Sequence, residues 1–213
     1  MEFLVLTQSP TGEDKFALTD FMAAESTRYG GAETCPACGQ YIEMCDWLPP
    51  YRVVLETWGS YYGDFAFHCG QDFLMSDRFR QLYARSGQTG LVVFSKVQII
   101  SVKHYRKIKG VRPRYYRATA VCSSAEIDQE ASGFEWEDPP SCEVCRIGSI
   151  MRWKRLVVRP FTWSGEDIFF PRHCPGSDIL VTRRFAQWCR KNQIRNAAFI
   201  PADQYADDIY KVD

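Results

Sequence analysis

Two Cys-x-x-Cys pairs constrain this chain more than any other feature: Cys35-Pro36-Ala37-Cys38 and Cys142-Glu143-Val144-Cys145. Two cysteines separated by two residues fit adjacent vertices of a tetrahedral ion, and zinc takes thiolate and imidazole ligands in that geometry. Gly39 directly follows the first pair and suits the positive φ of a tight knuckle turn. After the second pair Arg146 takes that place and a glycine comes two residues later, at Gly148. One such pair is a weak signal; two in one chain point to a metal. The chain has nine cysteines, an odd number that cannot all pair within it. The stretch from Met1 to Gln8 shows neither a basic region nor a long apolar run, and no stretch is apolar enough for a membrane span. The expectation is a cytoplasmic protein, where thiols favour metal over disulfides.

The same order of features occurs twice. His68-Cys69, Asp72, Phe73-Leu74-Met75, Ser76 and Arg78-Phe79 match His173-Cys174, Asp178, Ile179-Leu180-Val181, Thr182 and Arg184-Phe185, with one inserted residue. Each set lies downstream of its own Cys-x-x-Cys. This order reads as a divergent internal duplication. In each copy an apolar strand leads to a helix. Asp72 or Ser76 would cap one running through Leu82 to Arg85, and Asp178 or Thr182 one through Trp188 to Lys191. Apolar strands follow at 91–94 and 197–200. Between the copies, 97–102 and 115–122 read as strands flanking a Lys107–Gly110 turn, a long central hairpin, and 123–141 as a loop. The fold class is α+β: two pseudo-repeats over 1–105 and 142–213, with a hairpin and acidic loop over 106–141.

Two metal wirings are open. In one, Cys35, Cys38, Cys142 and Cys145 share one ion, stapling the copies together. Alternatively each knuckle recruits its own downstream pair, His68 and Cys69 or His173 and Cys174. Adjacent residues of a strand point to opposite faces, which favours the single four-thiolate site. Four protein ligands leave no vertex for a catalytic water, so such an ion is structural. Cys45, Cys122 and Cys189 read as buried small apolar residues.

Charge is segregated although the chain is neutral overall. Lys103 to Arg117 holds seven bases and no acid, and Glu126 to Asp138 holds six acids and no base. The acids Glu126, Asp128, Glu130, Glu135, Glu137 and Asp138, with Trp136 and Phe134 among them, would suit a basic partner; core packing explains the two aromatics equally well. The basic stretch, with Tyr105, Tyr115 and Tyr116, would suit nucleic acid. The sequence carries no phosphate-binding glycine loop, nucleophile elbow or His-Glu-x-x-His. Each of its three histidines is followed two positions later by Gly70, Arg106 or Pro175, so the deaminase His-x-Glu is missing as well.

The two knuckles, the segment from Asp178 to Phe185 and the run to Ala198-Phe199-Ile200-Pro201 resemble the bacterial double-CXXCG motif proteins over most of the chain. The departure is Arg146 where that family has glycine. The resemblance implies an immunity protein of a polymorphic toxin system, which binds and neutralises a cognate toxin; if that toxin is a nuclease, its basic cleft would suit the Glu126 to Asp138 segment. It also implies one zinc held by Cys35, Cys38, Cys142 and Cys145.

Overall fold

The computed structural model describes residues 2–8, 19–43, 45–68, 72–174 and 178–208. The architecture is mixed, with many strands and two helices. Its largest sheet runs β15 (Ala198–Pro201), β1 (Phe3–Thr7), β14 (Ile179–Thr182), β13 (Ile168–Arg172), β10 (Tyr115–Glu126), β7 (Asp72–Ser76), β6 (Phe65–Ala66). β8 (Leu91–Lys96) also pairs with β10. Both faces of this sheet are covered around β1, β7, β13 and β14, so those strands read as continuous apolar runs, whereas β10 alternates. On one face Leu4, Leu6, Ile179 and Val181 pack against helices α1 (Asp77–Ala84) and α2 (Arg183–Lys191) through Phe79, Tyr83, Phe185 and Cys189. On the other, Phe3, Val5, Phe169 and Leu180 meet Ile127, Trp153 and Leu156.

Both helices are anchored by one hydrogen-bond pattern. Ser76 caps α1, accepting from the Phe79 N–H at 3.0 Å, and its hydroxyl donates to buried Asp64 at 2.6 Å. Thr182 caps α2, accepting from the Phe185 N–H at 3.2 Å, and donates to buried Asp167 at 2.8 Å. Arg78 closes on Asp64 and Arg184 on Asp167. The chain after each helix crosses to the other set. The Arg195 N–H, beyond α2, donates to Asp64, and the Thr89 N–H, beyond α1, donates to Asp167, each at 3.0 Å. The expected caps Ser76 and Thr182 are the ones used. At Gly90, a Cβ would stand 1.9 Å from the Ile168 carbonyl oxygen, so only glycine fits there.

The expected central hairpin is not formed. β9 (Gln98–His104) lies parallel to β5 (Arg52–Thr57), which also pairs with β2 (Thr19–Ala23) in a separate three-stranded sheet. β10 takes β8 as its antiparallel partner instead. Val97 and Val102 belong to the core of the small sheet, with Phe21, Val53 and Leu55, and burying them there outweighs pairing with the nearest strand in sequence. Nor is 123–141 all loop: β10 continues to Glu126, and β11 (Glu135–Asp138) pairs with β12 (Ser149–Trp153). β1 belongs by pairing to the strands of the second half. No helix among the described residues is long and apolar enough to cross a membrane.

Candidate metal centre

Each knuckle lies in the connection between two antiparallel strands. The first is enclosed by β3 (Arg28–Tyr29) and β4 (Trp47–Leu48), the second by β11 and β12. Within them the backbone repeats a turn. The Gly39 N–H donates to the Cys35 carbonyl at 2.8 Å, and the Arg146 N–H donates to the Cys142 carbonyl at 3.0 Å. Both donors lie in the left-handed region, Gly39 at φ 75° and Arg146 at φ 51°. The turn is thus kept where the glycine is missing, at the steric cost of an L-residue in that region, about 1–2 kcal/mol. Gly148, the late glycine, serves another contact: a Cβ there would stand 2.4 Å from the Asp138 carbonyl oxygen.

The two turns bring Cys35, Cys38, Cys142 and Cys145 together, with all four sulfurs within 4.8 Å of one another. Cys35 Sγ is 3.8 Å from Cys142 Sγ, and Cys38 Sγ is 3.7 Å from Cys145 Sγ. A tetrahedral thiolate site with metal–sulfur bonds of about 2.3 Å has edges of about 3.8 Å. The four free thiols therefore have the donor type, number and spacing for one metal ion. Cys35 and Cys145 are buried, and Cys38 is exposed.

The electrostatics favour a cation. The Cys142 thiol is lowered to about 7 by the backbone N–H groups of Cys145 and Val144. At Cys38 the Gln40 N–H favours the thiolate, but desolvation and the sulfurs of Cys35, Cys145 and Cys142 together push it up to about 12. Thiolates packed this closely repel one another, and a bound cation relieves that repulsion.

The histidine–cysteine pairs stay outside this cluster. His68 is exposed, its ring 5.1 Å from Phe21. His173 is half-buried beside the second knuckle, its Nδ1 3.8 Å from Glu126, and burial lowers its pKa. Burial drives the Cys174 thiol well above its ordinary value. Cys69 lies outside the described residues. Among the described residues, the four knuckle cysteines are the group of metal-ligating side chains that converge. Of the other cysteines, Cys189 is buried as expected, whereas Cys122 is exposed.

The acidic segment is largely spoken for. Glu126 pairs with Arg159, and Glu135 with Arg152. Asp128 accepts from the Ala131 N–H. Phe134 and Trp136 pack on the core around Trp153, the packing alternative for these rings. Glu137 accepts from the Ser149 hydroxyl at 3.0 Å, and Glu130, Glu137 and Asp138 are exposed. They sit by the second knuckle, because Gln129 donates to the Arg146 carbonyl at 2.9 Å and Gly148 packs on Asp138.

The basic segment needs a correction too. Tyr115 is fully buried and its hydroxyl donates to the Gly63 carbonyl at 2.6 Å, so it cannot stack on a base. Arg117 is buried against Asp72, and Tyr116 lies beneath Arg80. Alternation along β10 sends Tyr115 and Arg117 inward, a consequence of the sheet it joins. Tyr105 is exposed as expected and stacks on Trp58. Trp58 lies outside the basic segment and is near it only in the fold.

No protein-family model matches this chain, and no curated protein matches it.

Proposed function

We propose that this chain is a zinc-stapled immunity protein of the double-CXXCG kind, acting in the cytoplasm by binding and neutralising a cognate toxin. The observation that carries the reading is the convergence of four sulfurs from two motifs 107 residues apart to within 4.8 Å of one another. Four thiolates in a tetrahedron suit zinc, and with no vertex left for substrate the ion acts as a clamp. Its binding energy is folding energy for the loops it joins. The enclosing strand pairs, the matched knuckle turns and the matched Asp64 and Asp167 networks support an origin by duplication of one knuckle–strand–helix unit.

Neutralisation is steric. The recognition surface is the acidic region of the second knuckle, where Glu130, Glu137, Asp138 and Glu143 are exposed and Val144, which follows Glu143, is 55% exposed. An exposed acidic region complements the basic cleft of a nuclease, speeding encounter and selecting the partner.

The test is competition between a strain lacking the gene and its parent in mixed culture. The deletion strain should be killed, and be rescued by the wild-type gene. Glu137→Lys/Asp138→Lys/Glu143→Lys should fail to rescue while the purified variant keeps its metal. Equal fitness of deletion strain and parent would refute the immunity role. Full rescue by the triple variant would refute this face alone.

A further inference from the structure

The loop 58–62 and the segment 103–112 meet in an aromatic and cationic face whose residues are separate from the sulfur cluster. Trp58 and Tyr105 stack in parallel, with centroids 4.8 Å apart and planes 6° apart, and Tyr105 is 54% exposed. The Tyr61 ring carries two cations, Arg195 at 4.7 Å and Lys109 at 5.9 Å. Tyr62 meets the His104 ring edge-on at 6.0 Å. Backbone bonds hold this arrangement: the Lys109 N–H donates to the Ser60 carbonyl at 2.7 Å, and the Tyr105 N–H to the Thr57 carbonyl at 3.0 Å. Arg106, Lys107, Lys109, Arg112 and Arg195 are all exposed. Glu56, on this flank, pairs with Lys103 at 2.7 Å and accepts from the Tyr105 hydroxyl at 3.4 Å.

We propose that this face binds single-stranded nucleic acid, a role beyond the immunity reading and independent of it. The cations would track the phosphates, and exposed Tyr105, backed by half-buried Trp58, would offer a planar surface to unpaired bases, whose π-faces are present in every sequence. A partner recognised by charge alone, such as an acidic protein segment, would have no use for the parallel Trp58–Tyr105 pair. Of the tyrosines in the basic stretch only Tyr105 serves here; Trp58, Tyr61 and Tyr62 come from another loop.

The experiment is fluorescence anisotropy of a labelled oligo-uridine of about 12 nucleotides with the full chain. If about four phosphate contacts form, affinity should fall about 50-fold between about 50 mM and about 200 mM salt. Trp58→Ala should weaken binding about 10-fold or more while Trp58→Phe retains most of it. Lys109→Glu/Arg112→Glu should weaken binding and flatten the salt dependence. Circular dichroism and metal content identify any variant that has lost its fold, and the Phe variant and the double charge variant stand as separate tests. Absence of binding by the wild type at low salt would overturn the proposal. So would full binding by Trp58→Ala, or displacement of the oligonucleotide by polyglutamate as readily as by unlabelled oligonucleotide, which would make this an acidic-protein surface.

Discussion

Replacing Asp20 with asparagine should make the protein more stable at neutral pH. Asp20 sits on β2 directly across from Glu56 of β5. Among the described residues its Oδ1, though buried, has no hydrogen-bond partner. Desolvation, with the Glu56 charge adding to it, raises its pKa to about 6. A folded pKa above the unfolded one means that the charged form is disfavoured by folding. The penalty is therefore absent below the unfolded pKa of about 4, grows as pH rises and is complete above about 6. A shift of about two units corresponds to about 3 kcal/mol, and partial solvent screening at this half-buried site reduces that to about 1–2 kcal/mol. Asp20→Asn should recover that amount at pH 8, a rise in Tm of about 3–6 °C for a chain of this size. At pH 5 the wild-type carboxyl is mostly protonated when folded, and the gain should shrink to about half. Thermal melts of both proteins at the two pH values measure this, since any effect of pH on the thiol centre is common to both. A variant that is less stable at pH 8, or whose gain does not depend on pH, would refute the reasoning.

Asp167 should behave in the opposite sense. Burial works against its charge, but Arg184, Thr182 and the Thr89 N–H outweigh burial and lower its pKa. Its stabilisation is complete above about pH 4 and is lost as pH falls through the lowered folded pKa. Asp167→Asn should cost about 2–4 kcal/mol in urea unfolding at pH 7, and an unchanged midpoint would contradict the anchoring role. Tyr115→Phe should cost about 1–2 kcal/mol by leaving the Gly63 carbonyl unsatisfied, yet leave oligonucleotide binding unaltered. Gly39→Ala should cost about 1–2 kcal/mol, whereas Arg146→Gly should be tolerated or slightly stabilising, as thermal melts would show.

The local features were legible in the sequence because they depend on near neighbours. Ser76 and Thr182 cap helices by bonding three residues onward, and Gly39 marks its own φ. The four cysteines were recognisable as candidate ligands because their chemistry narrows the choices, and the structure brings them together. The pairing of β9 was not legible: proximity in sequence favoured β10, and only the apolar faces of β2 and β5 offer the better burial. Arg117 looked like a surface base because nothing nearby in sequence shows that Asp72 will neutralise it across β7 and β10. Glu126 and Glu135 looked free for the same reason, their partners Arg159 and Arg152 arriving from later in the chain. Long-range ion pairs are decided by topology, which periodicity does not fix.

The central claim rests on the sulfur cluster, and metal analysis by elemental mass spectrometry tests it most directly. Protein purified without added metal should hold one zinc per chain. That zinc should be absent from Cys35→Ser/Cys142→Ser, and the wild type should lose stability on chelation, because the clamp closes a loop of 107 residues. A chain that folds and melts identically without any metal, its four cysteines titrating as free thiols, would contradict the account.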